Sequence, residues 1–211
     1  MEHKKLEFCI TQKSIDMFNN SAFGEIIEMS PLDFLARAAL SGGYNKKENR
    51  LEMGIDYGDD YSTTTVKYLI HKIKEGYCFG IPRLVVEDHD NGLYYVDTHE
   101  GRHRLMAAYY LNIDKVKVGI EHLVYNEGYG YYRRAHHRSM WKPIQNINTI
   151  ITENQRSSVK EMYGMLSINE WKNTIKIILE RNRWRFEGID LEDYEIDKDS
   201  YYERHKSGED F

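Results

Sequence analysis

Between Leu93 and Ile120 the sequence reads LYYVDTHEGRHRLMAAYYLNIDKVKVGI, and its period changes twice. Aromatic and β-branched residues at 93–97 predict a strand. Past Gly101 the compact apolar run Leu105, Met106, Ala107, Ala108 predicts a helix over about 102–111. KVKVGIEHLVY, 115–125, alternates apolar and polar residues and predicts a second strand. A strand that enters a helix through one glycine and returns as a strand demands a sheet with a helix against its face. The expected class is α+β.

Upstream elements agree with that class. LEFCI (6–10) and EIIEM (25–29) have the make-up of short strands. SPLDFLARAAL predicts a helix that Ser30 caps, Pro31 opens and Asp33 favours electrostatically, ended by SGG at 41–43. Residues 44–61 have no clear period and read as a surface loop. STTT at 62–65 offers a cap for a further helix carrying Val66, Leu69, Ile70 and Ile73, which Gly76 stops. IPRLVVEDHDNGLYYVD predicts a hairpin, with strands at 83–87 and 93–97 around an Asp-Asn-Gly turn at 90–92. Beyond 125 the pattern weakens into a Gly/Tyr-rich basic segment. SINEWKNTIKIILERNRW then predicts a helix with a Ser167/Glu170 capping box. This gives three expected regions: a 1–125 domain, a 126–186 basic loop with a helical extension, and a 187–211 acidic tail.

Charge is unevenly spread. The formal net charge of −5 argues against coating of nucleic acid over the whole surface. Yet YGYYRRAHHRSMWK (129–142) carries Arg133, Arg134, Arg138 and Lys142 with no acid, while 187–211 carries ten acids against three bases. Cys9 and Cys78 stand in no ligand-type spacing and are expected to be reduced thiols. The opening MEHKKLEFCITQ has no signal-type apolar run, and no segment approaches the roughly 18 apolar residues of a membrane span. The expectation is a cytoplasmic protein with no membrane partner.

Six charged or imidazole side chains crowd the eight positions from Asp97 to Arg104. A helix N-terminus presents unpaired N–H groups and a partial positive charge. Gly101 lets a ligand approach the backbone. Arg102 and Arg104 can fork onto phosphate oxygens, and His103 can donate a hydrogen bond or move a proton. Physically this reads as a phosphate-binding turn. Glu100, His99 and Asp97 stand where a carboxylate could hold Mg²⁺ through phosphate or act as a base. No protein cage for a metal is expected. The competing reading is a polar helix cap over an apolar core.

EGRHRLMAAYYLNIDKVKVGI resembles the ParB/sulfiredoxin superfamily, whose turn has the form (D/E)-G-x-(H/R)-R before a small-residue helix and a strand. TVKYLIHKIKEGYCFGIPRLVVE and GEIIEMSPLDFL resemble its upstream helix, strand and entry, so the similarity spans about 24–125. The resemblance implies an α+β fold, a small mixed sheet with flanking helices and here a C-terminal helical extension, and it implies nucleotide phosphates at Gly101, Arg102, His103 and Arg104, with Glu100 as the preceding acid. Sulfiredoxins carry a catalytic cysteine where this chain has Arg102, which argues against their chemistry. ParB proteins have G-E-R-R and bind CTP; His103 departs from that and is closer to the branches that use ATP or ADP. ENQR at 153–156 falls too far downstream for the ParB box and is read as chance. No helix-turn-helix domain follows.

The leading expectation is a nucleotide-binding enzyme, a phosphotransferase or nucleotide hydrolase using ATP and Mg²⁺. Glu100, Asp97 and His103 would be its catalytic groups, and Arg133, Arg134 and Arg138 a basic loop closing on phosphates or nucleic acid. The alternatives are a DNA-binding or DNA-cleaving ParB-like protein with nucleotide as a switch, and a non-catalytic nucleotide binder. The compact, tyrosine-rich character gives a phage-like impression.

Overall fold

The computed structural model describes residues 6–38, 44–45, 50–51, 60–89, 92–152 and 168–187. The chain is a mixed α+β structure. Its elements run α1 (Gln12–Asn19), β1 (Gly24–Met29), α2 (Pro31–Ala38), β2 (Tyr44–Asn45), β3 (Arg50–Leu51), α3 (Asp60–Lys74), β4 (Arg83–Asp88), β5 (Tyr94–Glu100), α4 (Arg102–Tyr110), β6 (Val116–Asn126), β7 (Tyr131–Arg134), β8 (Ile150–Thr152) and α5 (Ile168–Asn182). Two of these, β2 and β3, form a separate small antiparallel pair within the segment expected as a loop.

The main sheet has the order β1-β6-β4-β5-β8. Long β6 organises it. One edge of β6 pairs in parallel with β4. Its other edge pairs antiparallel with β1 along 116–121, then with β7 along 123–126. Strand β5 is antiparallel to β4 and parallel to β8. Past residue 125, then, the chain stays in the same sheet: β7 and β8 extend it, and α5 packs on α2.

Alternation along β6 separates two faces. Val116, Val118 and Ile120 are buried on the inner face. With Leu84, Val86 and Val96 they meet Phe34 and Leu35 of α2, Leu69 and Ile73 of α3, and Leu105 and Met106 of α4 in one core. Phe18 of α1 lies against the outer face, above Gly119. A β-carbon on Gly119 would fall 2.4 Å from the Phe18 ring, so only glycine lets the ring rest on the sheet there.

Helix α2 starts as its sequence dictates. The Ser30 hydroxyl accepts from the Asp33 amide at 3.0 Å and donates to its carboxylate at 2.6 Å. One turn on, Arg37 is fully buried. Its guanidinium donates to the carbonyls of Ile150 (3.0 Å), Ile147 (2.6 Å) and Asp33 (2.8 Å). A buried guanidinium is tolerable only when its donors are used this fully. It ties β8 and the turn before it to α2. Trp171 of α5 donates to the Ala36 carbonyl at 2.7 Å, and Lys172 pairs with Asp33 at 2.6 Å, which docks α5 on the same helix.

Several expectations need correction. Residues 6–10 form no strand; Ile10 makes an isolated bridge to Phe79, and the chain turns into α1 at a Thr11 cap. Helix α3 starts at Asp60, so STTT lies within it rather than capping it. The 131–134 part of the expected basic loop is strand β7. Cys9 and Cys78 are joined in a disulfide, not reduced. Their backbones run together, with Phe79 N–H donating to the Cys9 carbonyl and Thr11 N–H to the Phe79 carbonyl, which brings the two thiols face to face. The 90–91 part of the hairpin turn, SGG at 41–43, Ser167 and the 153–156 segment lie outside the described residues, as does the tail from 188. No helix among the described residues is long and apolar enough to cross a membrane.

Candidate functional site

The turn between β5 and α4 is one residue long. Gly101 caps α4 at φ 95° and ψ 13°, with no side chain to bond the first helical amides. That φ favours glycine. The wall behind it leaves no room for another residue. A β-carbon on Gly101 would lie 2.9 Å from Cβ of Pro82 and 3.0 Å from the Arg104 guanidinium.

Two side chains of the turn bind each other. The Arg104 guanidinium donates to the Glu100 carboxylate, one helical turn before it, and to the Gly80 carbonyl. Arg104 therefore moors the turn to the 80–82 segment. Gly80 is two residues past Cys78, so the disulfide and the turn grip the same short stretch of chain.

Upstream, β5 carries a bulge. The register passes from Val85↔Thr98 to Val86↔Val96, which leaves Asp97 as the extra residue. Asp97 and Thr98 are exposed. His99 sits opposite Leu84 and points its ring edge at Phe34, 6.4 Å between centroids. Burial pushes the pKa of His99 down to about 4, with the charges of Arg102 and His103 adding to the shift. At neutral pH His99 is an uncharged neighbour of a cationic helix start.

A ladder of charge crosses the outer face from this turn. Glu100 stands directly opposite Arg83 on β4. Arg83 lies 3.8 Å from the Glu121 carboxylate on β6, and Glu121 is nearly buried. Arg134 of β7 also donates to Glu121, and its guanidinium lies 4.5 Å above the Phe23 ring. The order across the strands is Arg104, Glu100, Arg83, Glu121, Arg134, with the signs alternating.

The structure thus brings Glu100, Gly101 and Arg104 into contact, with Arg102 and His103 in the first turn beside them. Asp97 is three residues back on the strand. Arg133 and Arg134 are fixed in β7 opposite Val124 and Leu123, not carried on a mobile closing loop. Arg138 lies 5.4 Å from the Trp141 ring in a 3₁₀ turn (Arg138–Met140). Gly80, Pro82, Arg83 and Glu121 shape the site although the sequence reading passed over them. Only the tertiary pairing of β4 with β5 and β6 reveals them. Among the described residues no group of three or more His, Cys, Asp or Glu side chains converges on a metal position. Glu100, one residue before the Gly101 cap, is the carboxylate next in sequence to the helix start.

No protein-family model, no curated protein and no solved structure matches this chain.

Proposed function

We propose that the β5–α4 turn is the phosphate end of a nucleotide site in a ParB/sulfiredoxin-like protein, and that the chain is a phosphotransferase or nucleotide hydrolase. The observation that carries this reading is the cap at Gly101. A helix start without a capping side chain is followed at once by Arg102, His103 and Arg104, and preceded by an exposed carboxylate. Such a start favours an anion, and guanidinium groups beside it add charge-assisted bonds. Phosphoryl transfer needs mainly positioning and neutralisation of charge. Arg102 and the helix amides would take the phosphates. Glu100 would serve as base or as an anchor for Mg²⁺ brought by the nucleotide. Arg104, held by Glu100 and Gly80, would position the turn and lend its guanidinium to a phosphate.

Calorimetric titration with ATP, ADP, CTP and GTP, with and without Mg²⁺, tests the reading, followed by mass analysis of the recovered nucleotide. Binding that is lost in Arg102→Ala and accompanied by loss of a phosphate is the expected result. Intact recovered nucleotide would make the protein a switch or a non-catalytic binder. No binding of any nucleotide would end the proposal. A DNA-binding function with nucleotide as a switch is the second reading, favoured by the arginines that β7 fixes in the sheet.

A further inference from the structure

The β6–β7 hairpin displays a cluster of aromatic rings that the turn at Gly101 does not use. Tyr125 and Tyr132 are paired across the two strands, so they share the outer face with Leu123 and Arg134. Their rings meet edge to face, 5.3 Å apart at 62°. Tyr132 touches His89, which in turn meets Tyr95 of β5 at 4.4 Å. An aromatic row therefore crosses the sheet from β5 to β7. Tyr129 and Tyr131 form a second pair at the hairpin tip, 5.7 Å apart and tilted at 40°, with Tyr131 opposite Asn126 and so on the other face of the hairpin. Three of these rings are wide open: Tyr125 is 53% exposed, Tyr131 55% and Tyr129 70%.

The charge on β7 and the segment that follows it has one sign. From Tyr129 to Lys142 there are four bases and no acid. The Arg134 side chain is 53% exposed next to Tyr132. The buried acid beside it, Glu121, is held by Arg134 and Arg83. Glu127 is the one acid in the hairpin turn.

We propose that the β6–β7 hairpin is a stacking site for single-stranded nucleic acid that wraps its tip, with bases on Tyr125 of the outer face and on Tyr129 and Tyr131 at the tip, and phosphates on Arg133 and Arg134, which the register sets on opposite faces of β7. Exposed rings on a sheet accept unpaired bases of any identity, and arginines follow the backbone. A duplex hides its base faces and gives the rings nothing to stack on. An apolar protein partner would have to strip water from hydroxyls and guanidinium groups without replacing their bonds. The stacking site does not depend on the nucleotide reading of the turn.

Fluorescence anisotropy with a labelled oligothymidine, an oligouridine and a duplex of equal length tests it at low salt. Binding of either single strand with a dissociation constant on the order of micromolar is expected, together with steep salt dependence. Preference between the two strands tells DNA from RNA. Tyr125→Ala and Tyr131→Ala each weaken binding by about 5- to 100-fold, and Tyr125→Phe retains it. These positions are exposed, so the variants fold. Three results would overturn the stacking site: no single-strand binding, a duplex bound as tightly, or affinity indifferent to both alanine variants.

Discussion

Pro82 fills the space that a side chain at Gly101 would need. The ideal β-carbon there falls 2.9 Å from Cβ of Pro82, at a φ of 95° that L-residues rarely adopt. Strain and collision act together at the one residue that joins β5 to α4. Gly101→Ala is therefore expected to destabilise the fold by about 1–3 kcal/mol. It should also shift the start of α4 and with it any bound anion. Urea unfolding with a parallel ATP titration reads both effects. An alanine variant with unchanged stability and unchanged binding would show that the turn's shape is irrelevant.

His99 makes a prediction about pH. Its pKa is about 4 in the folded protein, against 6.5 for an ordinary histidine, because burial and the neighbouring Arg102 and His103 disfavour the cation. Between those values the unfolded chain binds more protons than the folded one. Stability from this group is complete above about pH 6.5 and is lost as pH falls through 4. At pH 5 the loss is roughly 1–2 kcal/mol. Comparing urea unfolding of the wild type and His99→Gln at pH 7 and pH 5 isolates it: the variant should lose less on acidification. An anion at the α4 start offsets the charges of Arg102 and His103, so inorganic phosphate should raise the His99 pKa in an NMR titration. An unmoved pKa at saturating phosphate would count against the site.

Much of this arrangement was legible from local chemistry. Ser30, Pro31 and Asp33 announce α2, and the change of period at Gly101 announces the strand, the turn and α4. Alternation announces β6. What escaped is set by distant partners. Tyr-Tyr-Arg-Arg becomes a strand only because the far end of β6 offers an edge. Helix α1 is mostly polar, and it depends on Phe18 finding Gly119 about a hundred residues away. Arg37 looks like an ordinary helix residue, yet its burial follows from carbonyls at 147 and 150 that a local pattern cannot reveal. The same holds for Glu121, whose partners come from β4 and β7.

The two cysteines teach the same lesson and are testable. They are separated by 69 positions, so their bond closes a long loop. A cross-link of that span restrains the unfolded chain and typically contributes about 2–4 kcal/mol. Reduction by a dithiol should lower the melting temperature by several degrees (roughly 5–10 for a domain of this size). Cys9→Ser/Cys78→Ser should melt low in both conditions. Because the disulfide and Arg104 hold the same 78–80 segment, amide exchange should rise there and at the Gly101 turn on reduction. If the wild type melts identically with and without reductant, and carries two alkylatable thiols before reduction, the link does not form in solution.

Glu100 and Arg104 decide how the turn meets an anion. Glu100 accepts from the Arg104 guanidinium, the group that a phosphate would use under the proposed function. The pair is partly open to water, with the Glu100 side chain 51% exposed, so it is worth little by itself. Its cost to an incoming phosphate is a competing partner and a repelling charge. Glu100→Gln removes the charge and keeps the shape. Phosphate or ATP without Mg²⁺ should therefore bind about 2- to 10-fold more tightly to the variant, in line with the strength of an exposed ion pair. With Mg²⁺ present the proposed function expects the order to reverse, since the carboxylate it assigns to the metal is gone, and turnover should fall with it. Arg104→Ala should weaken binding in both conditions. If Glu100→Gln binds more weakly without metal as well, Glu100 holds the turn in shape and does not gate it.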